Sequence, residues 1–263
     1  MRIQAEFVEG FGLLAELGPA VAVFGSARTA RGSREYSTAE RIASGLVKAG
    51  YAVITGGGPA IMEAANRGAA EAGGVSVGLG IELPREMGLN DYVNVGMEFR
   101  YFFARKTCFI KYSQAFVVLP GGYGSMDELF EALTLVATGK ITKFPIILVG
   151  REYWSGLLSW LKDTMLAGGN IDPAEFSLIS VADEADEVVG IIRKAHDGHG
   201  LGGSEPGQTG RLRGRPADRV YLPRGPPAPP WPRAPATRSP RSPPMDATSR
   251  VGHGTIRMCL FYS

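Results

Sequence analysis

Ala115-Phe116-Val117-Val118-Leu119-Pro120-Gly121-Gly122-Tyr123-Gly124-Ser125-Met126-Asp127-Glu128 passes from five apolar residues through a glycine turn into a helical pattern. A continuous apolar run closed by turn residues reads as a strand buried on both faces. The helix after it is predicted over about 125–138. A strand that feeds a helix through a glycine turn is the repeating unit of a parallel sheet.

The same unit recurs on both sides. Strands are predicted at 21–25, 51–55, 75–79, near 93–96, at 145–149 and near 177–181. Helices are predicted between them at about 36–49, 60–72, 101–112, 153–167 and 184–196, with a short helix near Gly10–Leu17. Pro59 suits a first helical position and Gly73-Gly74 stops that helix. Alternation of this kind gives a doubly wound, Rossmann-like α/β fold with helices on both faces of a parallel sheet. Trp154 and Trp160 fall in an amphipathic stretch and are read as packing or interface residues.

Residues 1–196 form this domain, and residues 197–263 differ in kind. The latter hold 12 of the 18 prolines, 10 Arg, no Lys and 4 acidic residues, leaving the first 196 residues acidic by 4 charges. Without apolar periodicity such a tail cannot offset its ordering entropy, so disorder is expected, or a frameshifted end. An acidic body argues against nucleic acid as a partner. The first residues lack the apolar core of a signal peptide, and no apolar run approaches the roughly 20 residues that span a bilayer. Cys108 and Cys259 match no metal spacing or disulfide framework. A cytoplasmic protein is expected.

Ligands of doubly wound sheets bind beyond the carboxyl ends of the strands. Three glycine loops fall there: Gly25-Ser26-Ala27-Arg28, Thr55-Gly56-Gly57-Gly58 and Pro120–Ser125. Residues without a β-carbon let backbone N–H groups approach a phosphate, and a helix N-terminus favours its charge. Ser26, Gly56, Gly57, Gly58, Gly121, Gly122, Gly124 and Ser125 are therefore phosphate candidates. No Walker string is present, and the first loop lacks the dinucleotide fingerprint.

Ser125-x-x-Glu128 has the spacing of a capping box, in which both side chains satisfy free backbone N–H groups. The same placement aims both into the mouth where a phosphate binds. A carboxylate there stabilises an oxocarbenium-like centre or activates water. Arg105-Lys106, inside an apolar segment, either snorkels to solvent or meets an anion, which Arg105 can grip in bidentate fashion. No lysine has the context of a pyridoxal-phosphate anchor.

These residues carry a resemblance. Pro120 to Glu128 is similar to the Pro-Gly-Gly-x-Gly-Thr-x-x-Glu signature of the LOG (Lonely Guy) family, often mislabelled lysine decarboxylases, and Phe103-Ala104-Arg105-Lys106 resembles its second motif. The likeness runs over about residues 15–196, through Gly56-Gly57-Gly58-Pro59 and Glu63-Ala64-Ala65-Asn66-Arg67-Gly68. It implies a cytokinin riboside 5′-monophosphate phosphoribohydrolase that releases free base and ribose 5-phosphate, with AMP a substrate of many bacterial members. It matches Arg105 and Glu128 to the catalytic pair, and Glu86, Lys106, Gly122, Gly124, Ser125 and Thr134 to nucleotide-contacting positions. It further implies no metal, no organic cofactor, and a homodimer or larger assembly. Two departures stand out: Ser125 replaces Thr, and Ala60 replaces a Gly that a positive φ would favour. The alternative is a nucleotide-binding module without turnover.

Overall fold

The computed structural model describes residues 2–82, 88–141 and 144–198, together with the short strand at 220–221. The chain divides into two compact units, Met1–Arg224 and Gly225–Ser263, and the second lies wholly outside the described residues. The expectation of a disordered tail over 197–263 falls almost entirely there too. Its one described strand, Val220–Tyr221, has no counterpart among the predicted elements.

The strands are β1 (Ala20–Phe24), β2 (Ala52–Thr55), β3 (Ser76–Ile81), β4 (Val95–Phe99), β5 (Phe116–Val118), β6 (Ile146–Val149), β7 (Ile179–Ala182) and β8 (Val220–Tyr221). They form one sheet in the order β7-β6-β5-β1-β2-β3-β4-β8. Every pairing is parallel. The helices are α1 (Arg2–Leu14), α2 (Arg34–Lys48), α3 (Ile61–Glu71), α4 (Phe102–Tyr112), α5 (Tyr123–Ala137), α6 (Arg151–Trp160), α7 (Pro173–Phe176) and α8 (Ala185–Gly198). The doubly wound expectation holds.

Period-two alternation within each apolar run divides the core between the two faces. Ala20, Ala22 and Phe24 pack with Phe109, Leu129 and Trp154 on the side of α4, α5 and α6. Val21 and Val23 pack with Ile42, Ile61 and Val188 on the side of α2, α3 and α8. Trp154 is fully buried, as expected for a packing residue, and its indole N–H donates to the Val149 carbonyl at 3.0 Å. Trp160 is half exposed.

Four local expectations need correction. Helix α1 is a full 13-residue element rather than a short one. The helix predicted over 153–167 begins at Arg151 and passes into a π-helical turn, Leu161–Leu166, which apolar spacing does not distinguish from continued α-helix. Pro59 does not open α3: Ala60 is its N-cap, with φ 58° and ψ −117°. Helix α5 starts at Tyr123 on the N-cap Gly122, two residues before the predicted start.

Candidate active site

The order of strands reverses across the sheet at β1, whose neighbours are β2 and β5. The crevice between the loops after β1 and β5 is thus the topological switch point, where doubly wound folds bind ligands. The two loops are laced together there. Ser26 N–H donates to the Pro120 carbonyl at 2.9 Å and Leu119 N–H to the Phe24 carbonyl at 2.9 Å, while Ile61 N–H, at the start of α3, donates to the Ser26 carbonyl at 3.2 Å. The Ser26 hydroxyl accepts from Arg28 N–H at 3.0 Å, so it braces its own loop.

The early start of α5 changes what Ser125 and Glu128 do. A capping box needs Ser125 at the N-cap, but that position belongs to Gly122, and no side chain caps the helix. Ser125 instead lies in the first turn and Glu128 in the second, both buried, at 7% and 5% exposure. A β-carbon on Gly121 would collide with the Ser125 side chain, so glycine at 121 is required for Ser125 to tuck beneath the turn. The first-turn N–H groups of α5 lack intrahelical acceptors. With no side-chain cap they form an anion-attracting end.

Glu128 is the unusual group. Its Oε2 is buried and has no hydrogen-bond partner among the described residues. Burial pushes its pKa up to about 7, while Lys106 and then Arg105 pull it down and Glu131 and Asp127 push it up. Buried carboxyl groups are normally hydrogen-bonded. This one has an oxygen open to another partner and a pKa near neutrality, the range that suits acid–base work.

The expected charged pair on α4 divides its tasks. Arg105 Nε donates to the Leu79 carbonyl near the end of β3, 2.8 Å away, and its guanidinium carbon stands 5.3 Å from the Phe109 ring centre. A β-carbon on Gly56 would meet Arg105 Nη2 at 2.5 Å, so the β2 loop is bare where the guanidinium passes. Lys106 Nζ lies 2.9 Å from both Asp127 Oδ2 and Glu131 Oε2, tying α4 to α5. Burial works against its charge, but these two carboxylates raise its pKa overall.

The structure thus gathers Arg105, Lys106, Gly121, Gly122, Ser125 and Glu128 around one crevice, with Ser26 and the Gly56–Gly58 turn on its border. Gly124 is an exposed first-turn residue of α5. Thr134 is not brought to the loop: its hydroxyl donates to the Phe130 carbonyl, about 13 Å along α5 from Ser125 at about 1.5 Å per residue. Glu86 lies outside the described residues. Among the described residues no three His, Cys, Asp or Glu side chains converge as a metal site requires. None of their helices is long and apolar enough to cross a membrane.

Two sets of supporting residues hold these loops in place. Buried Asn66 accepts from Thr55 Oγ1 at 2.5 Å and from Asn90 Nδ2 at 2.9 Å, and donates to Ser76 Oγ at 2.9 Å. Asn90 also donates to the Gly57 and Gly58 carbonyls, which fixes the β2 turn. Of these only Asn66 is signalled in the sequence, within the Glu63–Gly68 stretch that carries the resemblance and as an asparagine on the apolar face of α3. Tyr153, in the first turn of α6, donates its hydroxyl to the Gly121 carbonyl at 2.7 Å, and only the fold brings these two together.

The sequence model of a family described as "Possible lysine decarboxylase" matches residues 62–192. The cytokinin riboside 5′-monophosphate phosphoribohydrolase of Mycobacterium tuberculosis is 30% identical over 155 residues, covering 57% of this chain and 81% of that one. The chain belongs to the LOG family. A second family member so named, from Rhodococcoides fascians, is 27% identical over 179 residues, covering 66% and 88% of the two chains. The LOG1 enzyme of Arabidopsis thaliana is 40% identical over 86 residues, 32% of this chain and only 39% of that protein's length. Among solved structures, the molybdenum cofactor binding protein of Rippkaea orientalis shares the fold at 18% identity, with a TM-score of 0.52 over 67% of this chain and 96% of that one.

Proposed function

We propose that this chain hydrolyses the N-glycosidic bond of purine or cytokinin riboside 5′-monophosphates, AMP included, to free base and ribose 5-phosphate. The observation that carries the reading is Glu128, a buried carboxyl group with an unpartnered oxygen, beside Arg105 and Lys106 and one turn from an uncapped helix N-terminus. The N–H groups of Gly122 to Ser125 receive the 5′-phosphate. Glu128, ionised, stabilises the positive charge that grows on the ribose as the bond to the base lengthens, or takes a proton from the attacking water. Oxygen of water bonds to C1′ as the C1′–N bond breaks, and the base departs with a proton. Arg105 orients the substrate and assists that departure.

The reading brings with it a cytoplasmic enzyme without metal or organic cofactor, working as a homodimer or larger assembly. Light scattering tests the assembly, and activity after dialysis against a chelator tests the metal. The deciding experiment incubates the protein with AMP and with isopentenyladenosine monophosphate and scores free base. Binding of a monophosphate panel without release of base would replace the hydrolase with a binding module.

A further inference from the structure

The carbonyl groups of the signature loop are held one after another. Pro120 accepts from Ser26 N–H at 2.9 Å, Gly121 from the Tyr153 hydroxyl at 2.7 Å, and Gly122 from Met126 N–H at 3.1 Å. The first bond comes from the loop after β1 and the third from the winding of α5. The middle one comes from α6, an element outside both of these loops.

That middle peptide most needs an external tether. It joins Gly121 to Gly122, and neither residue has a β-carbon to restrict rotation about its backbone bonds. In a trans peptide the C=O of one residue and the N–H of the next point in opposite directions. A donor that fixes the Gly121 carbonyl toward α6 therefore fixes the Gly122 N–H away from it. Gly122 is the N-cap of α5, so its N–H stands at the head of the uncapped group whose partial charge attracts an anion.

We infer that Tyr153 is a positioning residue for the 5′-phosphate, orienting the Gly121–Gly122 peptide so that its N–H joins the phosphate cradle. Tyr153 touches no substrate in this arrangement and acts through the loop alone. The inference rests on the proposed use of that loop for phosphate, and it concerns binding rather than bond cleavage. The half-exposed Tyr153 ring is edge-on to buried Trp154 with centroids 4.9 Å apart, a contact on its inner side.

Tyr153→Phe keeps that ring and removes the donor. The KM for AMP is expected to rise roughly three- to tenfold, the span of one lost neutral hydrogen bond, with kcat changed by about twofold or less. Calorimetric Kd values for AMP and for inorganic phosphate should weaken in the same ratio, and the affinity for adenosine, which lacks the phosphate, should not move. The calorimetric arm stands even if the wild-type protein binds AMP without cleaving it, so failure of the hydrolase reading shows separately. Unchanged Kd values for AMP and phosphate overturn the inference. So does equal weakening toward adenosine, which marks a general loss of structure.

Discussion

Glu128 combines a buried carboxyl group, a pKa pushed up to about 7 and two neighbouring cations. Its folded-state value lies above the ordinary 4.5, so the native protein holds that proton more tightly than the unfolded chain does. Below about pH 4 both states are protonated and burial carries no ionic penalty. Between about pH 4.5 and 7 the penalty grows, and above that it levels off at roughly 3 kcal/mol, since each tenfold tightening of proton binding corresponds to about 1.4 kcal/mol. Glu128→Gln should match the wild type in stability at pH 4 and exceed it by up to that amount at pH 8, in paired thermal melts. The same variant should release no base, whereas retained activity would remove the carboxylate from the chemistry. The acid limb of kcat/KM should fall near pH 7. Lys106→Met removes the cation that lowers this pKa most and leaves Asp127 and Glu131 without it, so the limb should move to higher pH. The free substrate's own phosphate, which titrates near pH 6, cannot shift with a protein substitution. A limb that stays in place in the variant would assign it to the substrate.

Among the elements, α3 and α5 begin in ways that spacing alone misreads. Ala60 has the only positive φ of a non-glycine residue among the described ones, 58°, and it turns the chain so that Ile61 N–H reaches the Ser26 carbonyl. The Ala-for-Gly departure is visible in the sequence, and the strain it implies is present. Ala60→Gly should stabilise the protein by about 1 kcal/mol, a rise of roughly 2–4 °C in melting temperature for a domain of this size. An unchanged or lower melting temperature would mean that the surroundings already relieve the turn. The strand–turn–helix order around Pro120 is legible because a buried apolar run, a glycine turn and a helical period are local signals. The role of Ser125-x-x-Glu128 is not, because the same four-residue spacing serves an N-cap at the surface and two buried side chains inside the first turns. Which applies depends on where the backbone winds up, and Gly122 decides that without a side chain. Tyr153 and Asn90 are illegible for a different reason: each acts on a loop more than 30 residues away, and only the folded sheet makes them neighbours.

For the whole molecule, the candidate crevice and a larger groove lie at opposite ends of the strands. A groove of about 550 Å³ runs along the edge where the strands begin, lined by Tyr51, Gln114, Lys140, Phe144 and His196 among others. The crevice that holds Glu128 lies at the edge where the strands end. Size favours the groove as a ligand site, whereas the switch point, the uncapped helix and the unpartnered carboxylate favour the crevice. Gln114→Ala and Lys140→Ala should therefore leave kcat/KM for AMP within about twofold of wild type. A tenfold loss in either would move the active site to the other edge.

The order of the strands has a consequence for how the molecule comes into being. Ala20 pairs with Ala52, a near neighbour in the chain, but Ala22 pairs with Phe116 on its other side. A growing polypeptide thus completes β1 to β4 with one flank of β1 still bare, its backbone groups open to any passing strand. Distant pairings of this kind close slowly, because loop entropy must be overcome before the contact rewards it. The two loops that grip Ser26 and Pro120 become neighbours only when β5 docks. Until then the glycine turns after β1 and β5 have no crevice between them. On the proposed function, nucleotide binding by the newly made protein would mark the moment at which the second half of the sheet has joined the first.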